Sequence, residues 1–144
     1  AKAEIIKTKN IFYGGTFSAN PLSMYAAKLI LETIVDKKFI NYDRLNESGF
    51  IFRNDLNNFF HNEQINMRAI GCGPINRLIF TSKFIKNKKA RDKNEPENAQ
   101  KKFSDKLKTL GVFVNGNGLY HFSMSHTPNV IRKLTNKIKL ATKI

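Results

Sequence analysis

Apolar positions along this chain change their period several times, and each change marks an element. Leu22, Met24, Ala26, Ala27, Leu29, Ile30, Leu31, Ile34 and Val35 form a run that is apolar on most faces. Such a run predicts a largely buried helix, since an amphipathic surface helix keeps one polar side. Asn20 offers a capping side chain before it, and Pro21 takes the first helical position, where a missing N–H costs nothing. The run gives out at Asp36-Lys37-Lys38. Further on, Leu45, Gly49, Phe52, Leu56, Phe59 and Phe60 recur every three or four residues. That spacing predicts a second helix over about 42–61 with a single apolar stripe.

Period-two segments follow. Ile65 to Ile70 begins by alternating apolar and polar residues, as a half-buried strand does, and Gly71-Cys72-Gly73-Pro74 breaks it. Arg77-Leu78-Ile79-Phe80-Thr81 reads as a second strand. Lys86 to Asn98 has no apolar period and is expected to be a mobile surface loop. Ala99, Phe103, Leu107 and Leu110 mark a third amphipathic helix that Gly111 stops. Val112-Phe113-Val114 predicts a short strand, Asn115-Gly116-Asn117-Gly118 a turn, and Leu119 to Met124 the returning strand. Thr127-Pro128 opens a last helix with Val130, Ile131, Leu134, Ile138 and Ala141 on its buried side. From residue 41 the order is helix, two strands, helix, two strands, helix. It predicts a small α+β layer, a mostly antiparallel sheet with helices on one face.

Composition narrows the functional classes. A chain of 144 residues can build one real core, and its hydrophobic fraction of 41% fits a folded protein. No apolar stretch reaches the roughly 20 residues that span a bilayer, and Ala1-Lys2-Ala3-Glu4 has no signal-peptide core, so no membrane partner is expected. One cysteine, Cys72, excludes an internal disulfide and fits a reducing, cytoplasmic setting. The net charge of +14 raises nucleic acid as a partner. The lysines are spread along the chain, however, and the phenylalanines fall on apolar stripes, where they cannot stack on bases. No nucleic-acid partner is expected.

Chemistry concentrates at Gly14-Gly15-Thr16-Phe17-Ser18-Ala19-Asn20-Pro21. Two glycines let the backbone approach an anion closely, and the Thr16 hydroxyl can add a hydrogen bond; an ordinary turn before a helix would use the same residues. His126 reads as a brace for the last helix, because no carboxylate or nucleophile lies near it in sequence. His61 and His121 lack metal-ligand spacing, and no metal site is expected.

The octapeptide resembles the Gly-Gly-Thr-Phe-Ser-x-Asn-Pro signature of class III aminotransferases. Gly111-Val112-Phe113-Val114, followed after a loop by Phe122-Ser123-Met124-Ser125-His126-Thr127, is similar to the C-terminal region of their glutamate-1-semialdehyde 2,1-aminomutase subgroup. The resemblance implies a pyridoxal 5'-phosphate (PLP) enzyme of fold type I acting on a small amino-acid-like substrate as a homodimer. It implies that residues 1–19 are a remnant of the large domain with the phosphate-contact segment. Residues 20–40 would be a long linking helix and 41–144 the C-terminal small domain. In that family the residues matching Gly15 and Thr16 reach the cofactor phosphate of the neighbouring subunit.

The Schiff-base lysine of the family lies tens of residues before that signature, which places it upstream of Ala1. Lys2, Lys7 and Lys9 lie too close to the signature and read as surface residues, so no catalytic residue is expected within this chain and the chain alone is expected to be inactive. The short Asn115–Gly118 turn departs from the aminomutase pattern, where a longer acidic loop is usual. Two alternatives follow: a class III aminotransferase of another pathway, such as one making amino sugars, and a non-catalytic basic interaction module.

Overall fold

The computed structural model describes residues 14, 15, 17–36 and 40–143. The chain divides into two compact units, Ala1–Ile40 and Asn41–Ile144.

In the first unit the predicted helix forms as α1, Pro21–Val35. Asn20 Oδ1 accepts the Ser23 N–H at 3.1 Å and the Asn20 carbonyl accepts the Met24 N–H at 2.9 Å. The expectation of burial is corrected: α1 buries none of its residues, and Leu22 and Val35 are 77% and 76% exposed. An all-round apolar run gives a buried helix only where other elements cover several of its sides.

The second unit opens with α2, Tyr42–Asn62, capped by Asn41 Oδ1 on the Arg44 N–H at 2.8 Å. It buries Gly49, Phe52, Leu56 and Phe60, the predicted stripe. Its end explains why the next strand starts later than its alternation predicts. Gln64 takes a left-handed φ of 54°, its N–H bonds to the His61 carbonyl, and the Ile65 N–H reaches back to Phe60 at 2.8 Å. This is a Schellman motif, and it uses Ile65 as its hydrophobic follower. Strand β1 is therefore Arg68–Cys72, where residues 65–70 were expected.

The glycine segment extends the pairing where a break was expected. β1 pairs antiparallel with β2, Ile75–Ile79, from Arg68↔Ile79 to Cys72↔Ile75, so only Gly73-Pro74 forms the turn. Gly73, at φ 51°, supplies the positive φ that primed two-residue turns demand at their first position. The turn lies against α2: a Cβ on Gly49 would stand 1.8 Å from the Gly73 carbonyl oxygen. The free edge of β1 is closed by Asn57, whose side chain donates to the Ala69 carbonyl at 2.9 Å and accepts its N–H at 2.8 Å.

Lys86 to Asn98 is not the featureless loop its composition predicts. Asn87 caps a short helix α3, Lys88–Asn94, held by Lys88–Asp92 and Arg91–Asp92 ion pairs at 2.5 and 2.6 Å. Glu95 then ties the segment down by accepting the Phe80 N–H and the Gln100 amide. Of these pairs Lys88–Asp92 spans one helical turn, as does Arg91–Glu95 at 3.9 Å, so charges four residues apart mark this helix where no apolar period does. Helix α4, Ala99–Thr109, ends in a second Schellman motif, with Gly111 at φ 71° and Val112 N–H bonded to Leu107.

A further correction concerns Val112-Phe113-Val114, which forms no strand. Val112 and Val114 pack on the core while Phe113 stays 91% exposed, so the alternation is met by burial without a ladder. The returning strand is the shorter β3, Leu119–His121, paired antiparallel with β2. The sheet thus has three strands in the order β1-β2-β3, all antiparallel. Helix α5, Pro128–Ala141, is capped by Thr127 and buries Ile131, Thr135, Ile138 and Ala141. Val130, expected inside, is 45% exposed.

One face of the sheet, carrying Ala69, Asn76, Leu78 and Tyr120, meets α2 and, with α5, encloses the core. Phe52 is central, with the Phe122 ring at 5.0 Å edge-on and the Tyr120 ring at 6.0 Å. Short α3 lies toward the opposite face, where Arg77 meets its charges.

Candidate functional site

Gly14 and Gly15 are exposed, and Gly15 holds φ at 149°, a conformation that side-chain-bearing residues rarely adopt. The chain then turns twice. The Ser18 N–H bonds to the Gly15 carbonyl at 2.9 Å and the Asn20 N–H to the Phe17 carbonyl at 3.2 Å, with Ala19 at a left-handed φ of 58°. Thr16, the hydroxyl singled out from the sequence, lies outside the described residues, as do Lys2, Lys7 and Lys9.

Helix α1 itself is a poor anion site. Pro21 has no N–H, Asn20 takes the Ser23 N–H with its side chain, and the Met24 N–H is held by the Asn20 carbonyl. An anion here would meet the exposed Gly14–Gly15 backbone and neighbouring hydroxyls, with little help from the helix end. A phosphate, which accepts several N–H and O–H bonds at once, fits an open glycine turn of this kind. A Cβ on Gly15 would find Ser18 Oγ no closer than 3.4 Å, so this glycine is required by its φ, not by crowding.

His126 is placed as a brace. Its Nδ1 accepts the Ser123 N–H at 3.0 Å and lies 2.9 Å from Ser123 Oγ, its own N–H bonds to the Ser123 carbonyl, and its ring lies 6.0 Å from Phe122. Arg44 adds a bond to the His126 carbonyl at 3.4 Å. Nδ1 is therefore committed as an acceptor within the turn that opens α5. Among the described residues no three His, Cys, Asp or Glu side chains gather as a metal site. No described helix is long and apolar enough to cross a membrane.

Sequence reasoning missed two polar features of the second unit. Fully buried Asn76 accepts from Arg53 at 2.5 Å and donates to the Pro74 carbonyl at 3.1 Å, and Arg53 also holds the Gly73 carbonyl at 2.8 Å. This network fixes the β1–β2 turn against α2; Asn76 falls at an inward position of β2, and only that phase could have flagged it. The other is Arg77, on the opposite face, whose Nε is buried with no hydrogen-bond partner. Burial, and then Arg91, depress its pKa, while Glu95 and Asp92 work the other way. Burial also pushes the Tyr120 phenol well above the usual tyrosine range.

Comparison with known proteins gives one consistent likeness. No family model matches the chain. It is 29% identical over 133 residues to a glutamate-1-semialdehyde 2,1-aminomutase of Methanosphaera stadtmanae, covering 91% of this chain and 30% of that relative. The matched part is the C-terminal portion of the relative, so the chain spans less than a third of its length. In fold it is similar to an omega-transaminase from Sphaerobacter thermophilus, with a TM-score of 0.74 at 17% identity over 92% of this chain and 30% of that one. A transaminase with PLP bound gives a TM-score of 0.69 at 18% identity, over 92% of this chain and 29% of that one. A β-phenylalanine aminotransferase from Variovorax paradoxus gives 0.59 at 18% identity, over 67% and 22% of the two chains. The small α+β architecture expected from the sequence is therefore that of the C-terminal portion of transaminase structures.

Proposed function

We propose that this chain is the C-terminal portion of a PLP-dependent class III aminotransferase or aminomutase, most similar to the glutamate-1-semialdehyde 2,1-aminomutases. The observation that carries the proposal is the octapeptide Gly14–Pro21, which forms an exposed glycine turn leading into a helix that caps itself. Gly15 and Thr16 would hold the phosphate of pyridoxal 5'-phosphate bound in a partner subunit, Gly15 by backbone and Thr16 by its hydroxyl. When bound, the cofactor supplies an electron sink for amino-group chemistry, and the protein supplies position and electrostatics. The part of that work assigned to this chain is to hold and orient the phosphate. The lysine that attaches the cofactor would belong to a longer polypeptide, and the enzyme would work as a homodimer on a small amino-acid-like substrate in the cytoplasm.

The test uses the longer polypeptide and the chain separately. Thr16→Val in the longer protein should weaken cofactor retention about tenfold, read from absorbance after dialysis, since one charge-assisted hydrogen bond is lost. The 144-residue chain alone should turn over no amino donor. Unchanged retention in Thr16→Val would remove the assigned phosphate contact, and turnover by the chain alone would contradict the division of labour.

A second reading rests on Asn115–Gly118. These residues close a tight turn, with the Gly118 N–H on the Asn115 carbonyl at 3.3 Å and Gly118 at φ 73°. No long acidic loop is present there, which favours an aminotransferase of another pathway, such as one acting on amino sugars. Assaying the longer protein against glutamate 1-semialdehyde separates the two readings.

A further inference from the structure

Residues 112–115, β3 and α5 border an open cavity of about 420 Å³, a size that takes small organic ligands. Its walls are mostly apolar. Val112 and Val114 contribute from one side, Leu119 and Phe122 from the sheet, and Val130 and Leu134 from the helix. Phe113 is also on the wall and is 91% exposed, so a large apolar ring stands beside the cavity almost wholly open to solvent.

The charge on this wall has one sign. Positions 130, 133, 134 and 137 share one face of α5, which sets Lys133 and Lys137 beside the two apolar residues. No Asp or Glu lines the cavity, and its other titratable side chains are Tyr120, His121 and His126. The lysines that follow, Lys139 and Lys143, pair with Asp55 and Glu63 at 2.6 and 3.4 Å. Lys133 and Lys137 pair with no carboxylate of the described residues.

Lys137 is also held in place. Its Nζ donates to the Leu110 carbonyl at 2.6 Å and lies 3.6 Å from where a Cβ on Gly111 would stand. Gly111 lines the cavity, so this bond anchors the ammonium at the cavity's edge with two further N–H groups to offer. A fixed ammonium without a counter-charge, set beside an apolar wall, suits an anion whose body covers that wall. Such a body leaves water as it binds and strengthens the ion pair by shielding it.

We propose that this cavity binds a small carboxylate with an apolar body, with Lys137 holding the carboxylate and Phe113 covering the body. The inference rests on the second unit alone and does not depend on the Gly15–Thr16 assignment.

The chain has four valines; Val112, Val114 and Val130 line the cavity, and Val35 lies in α1. The test is an NMR titration of the 144-residue chain labelled at its valine methyl groups. Hexanoate should shift the three cavity valines saturably, with a dissociation constant on the order of 1 mM, and leave Val35 in place. Hexan-1-ol has the body without the charge and should bind about tenfold more weakly, the difference made by one hydrogen-bonded ion. Acetate has the charge without the body and should not saturate in this range. Lys137→Gln should weaken hexanoate about tenfold and leave hexan-1-ol unchanged, a split that a merely loosened fold would not produce. Lys133→Gln, which removes a charge that holds nothing in the fold, should weaken hexanoate about threefold and carries the test if Lys137→Gln does not fold. Lys139→Gln, whose ammonium is paired with Asp55, should bind hexanoate as the wild type does. The proposal is overturned by cavity valines that do not saturate, by an equal shift of Val35, or by hexan-1-ol or acetate binding as tightly as hexanoate. Hexanoate affinity unchanged in the Lys137 or Lys133 variant, or lost as fully in Lys139→Gln, overturns it as well.

Discussion

Gly49 on α2 faces the carbonyl of Gly73 so closely that a single methyl group would stand 1.8 Å from its oxygen. Backbone cannot yield as a flexible side chain does, so Gly49→Ala must push the β1–β2 turn off the helix. The Arg53–Gly73–Asn76 network would be strained with it. We expect a loss of about 3 kcal/mol, near the upper end for overpacking, read from the urea midpoint. Tyr120 sets a pH limit through the opposite kind of constraint. Burial raises its folded pKa above that of the unfolded chain, so the folded state holds the phenol proton longer. The stability this protects is complete below the unfolded value of about 10 and falls as pH rises beyond it. An ultraviolet titration should show one tyrosine ionising only as the protein unfolds in alkali; a folded chain with every phenol ionised in the normal range would refute this.

At the scale of elements, α2 and α4 end in the same motif with different residues at its left-handed position. α4 uses Gly111 at φ 71° and α2 uses Gln64 at φ 54°. A side chain there costs about 1 kcal/mol, which glycine avoids. Gln64→Gly should therefore stabilise the second unit by about 1 kcal/mol and Gly111→Ala should destabilise it by a similar amount. Two changes of the same sign in chemical denaturation would disprove the assignment. Helix positions were legible in the sequence because caps and apolar stripes are local: Asn20-Pro21 and Thr127-Pro128 begin helices where they were read, and the stripe from Leu45 to Phe60 placed α2. Strand positions were less so. The alternation from Ile65 was real burial, but Ile65 serves the end of α2 and Met67 precedes the ladder, so the strand begins at Arg68. Val112 and Val114 show the same ambiguity, since period two reports alternate burial and not hydrogen-bonded pairing.

For the molecule as a whole, the buried core among the described residues runs from Phe52 to Ala141. The second unit thus has a core of its own, as an independently stable unit requires. The sequence by itself determined the α+β class, most helix boundaries and the glycine turn before Pro21, since each depends on neighbours within a few residues. It also offered, in Gly14–Pro21 and the segment around His126, a resemblance to class III aminotransferases. Only the tertiary structure decided that α3 is held by charge, that Asn57 closes a strand edge and that Asn76 pins the turn. It alone leaves α1 without a buried residue and the buried Arg77 Nε without a hydrogen-bond partner. Those outcomes depend on what lies opposite a residue across the fold, and nothing local in the chain encodes that distance.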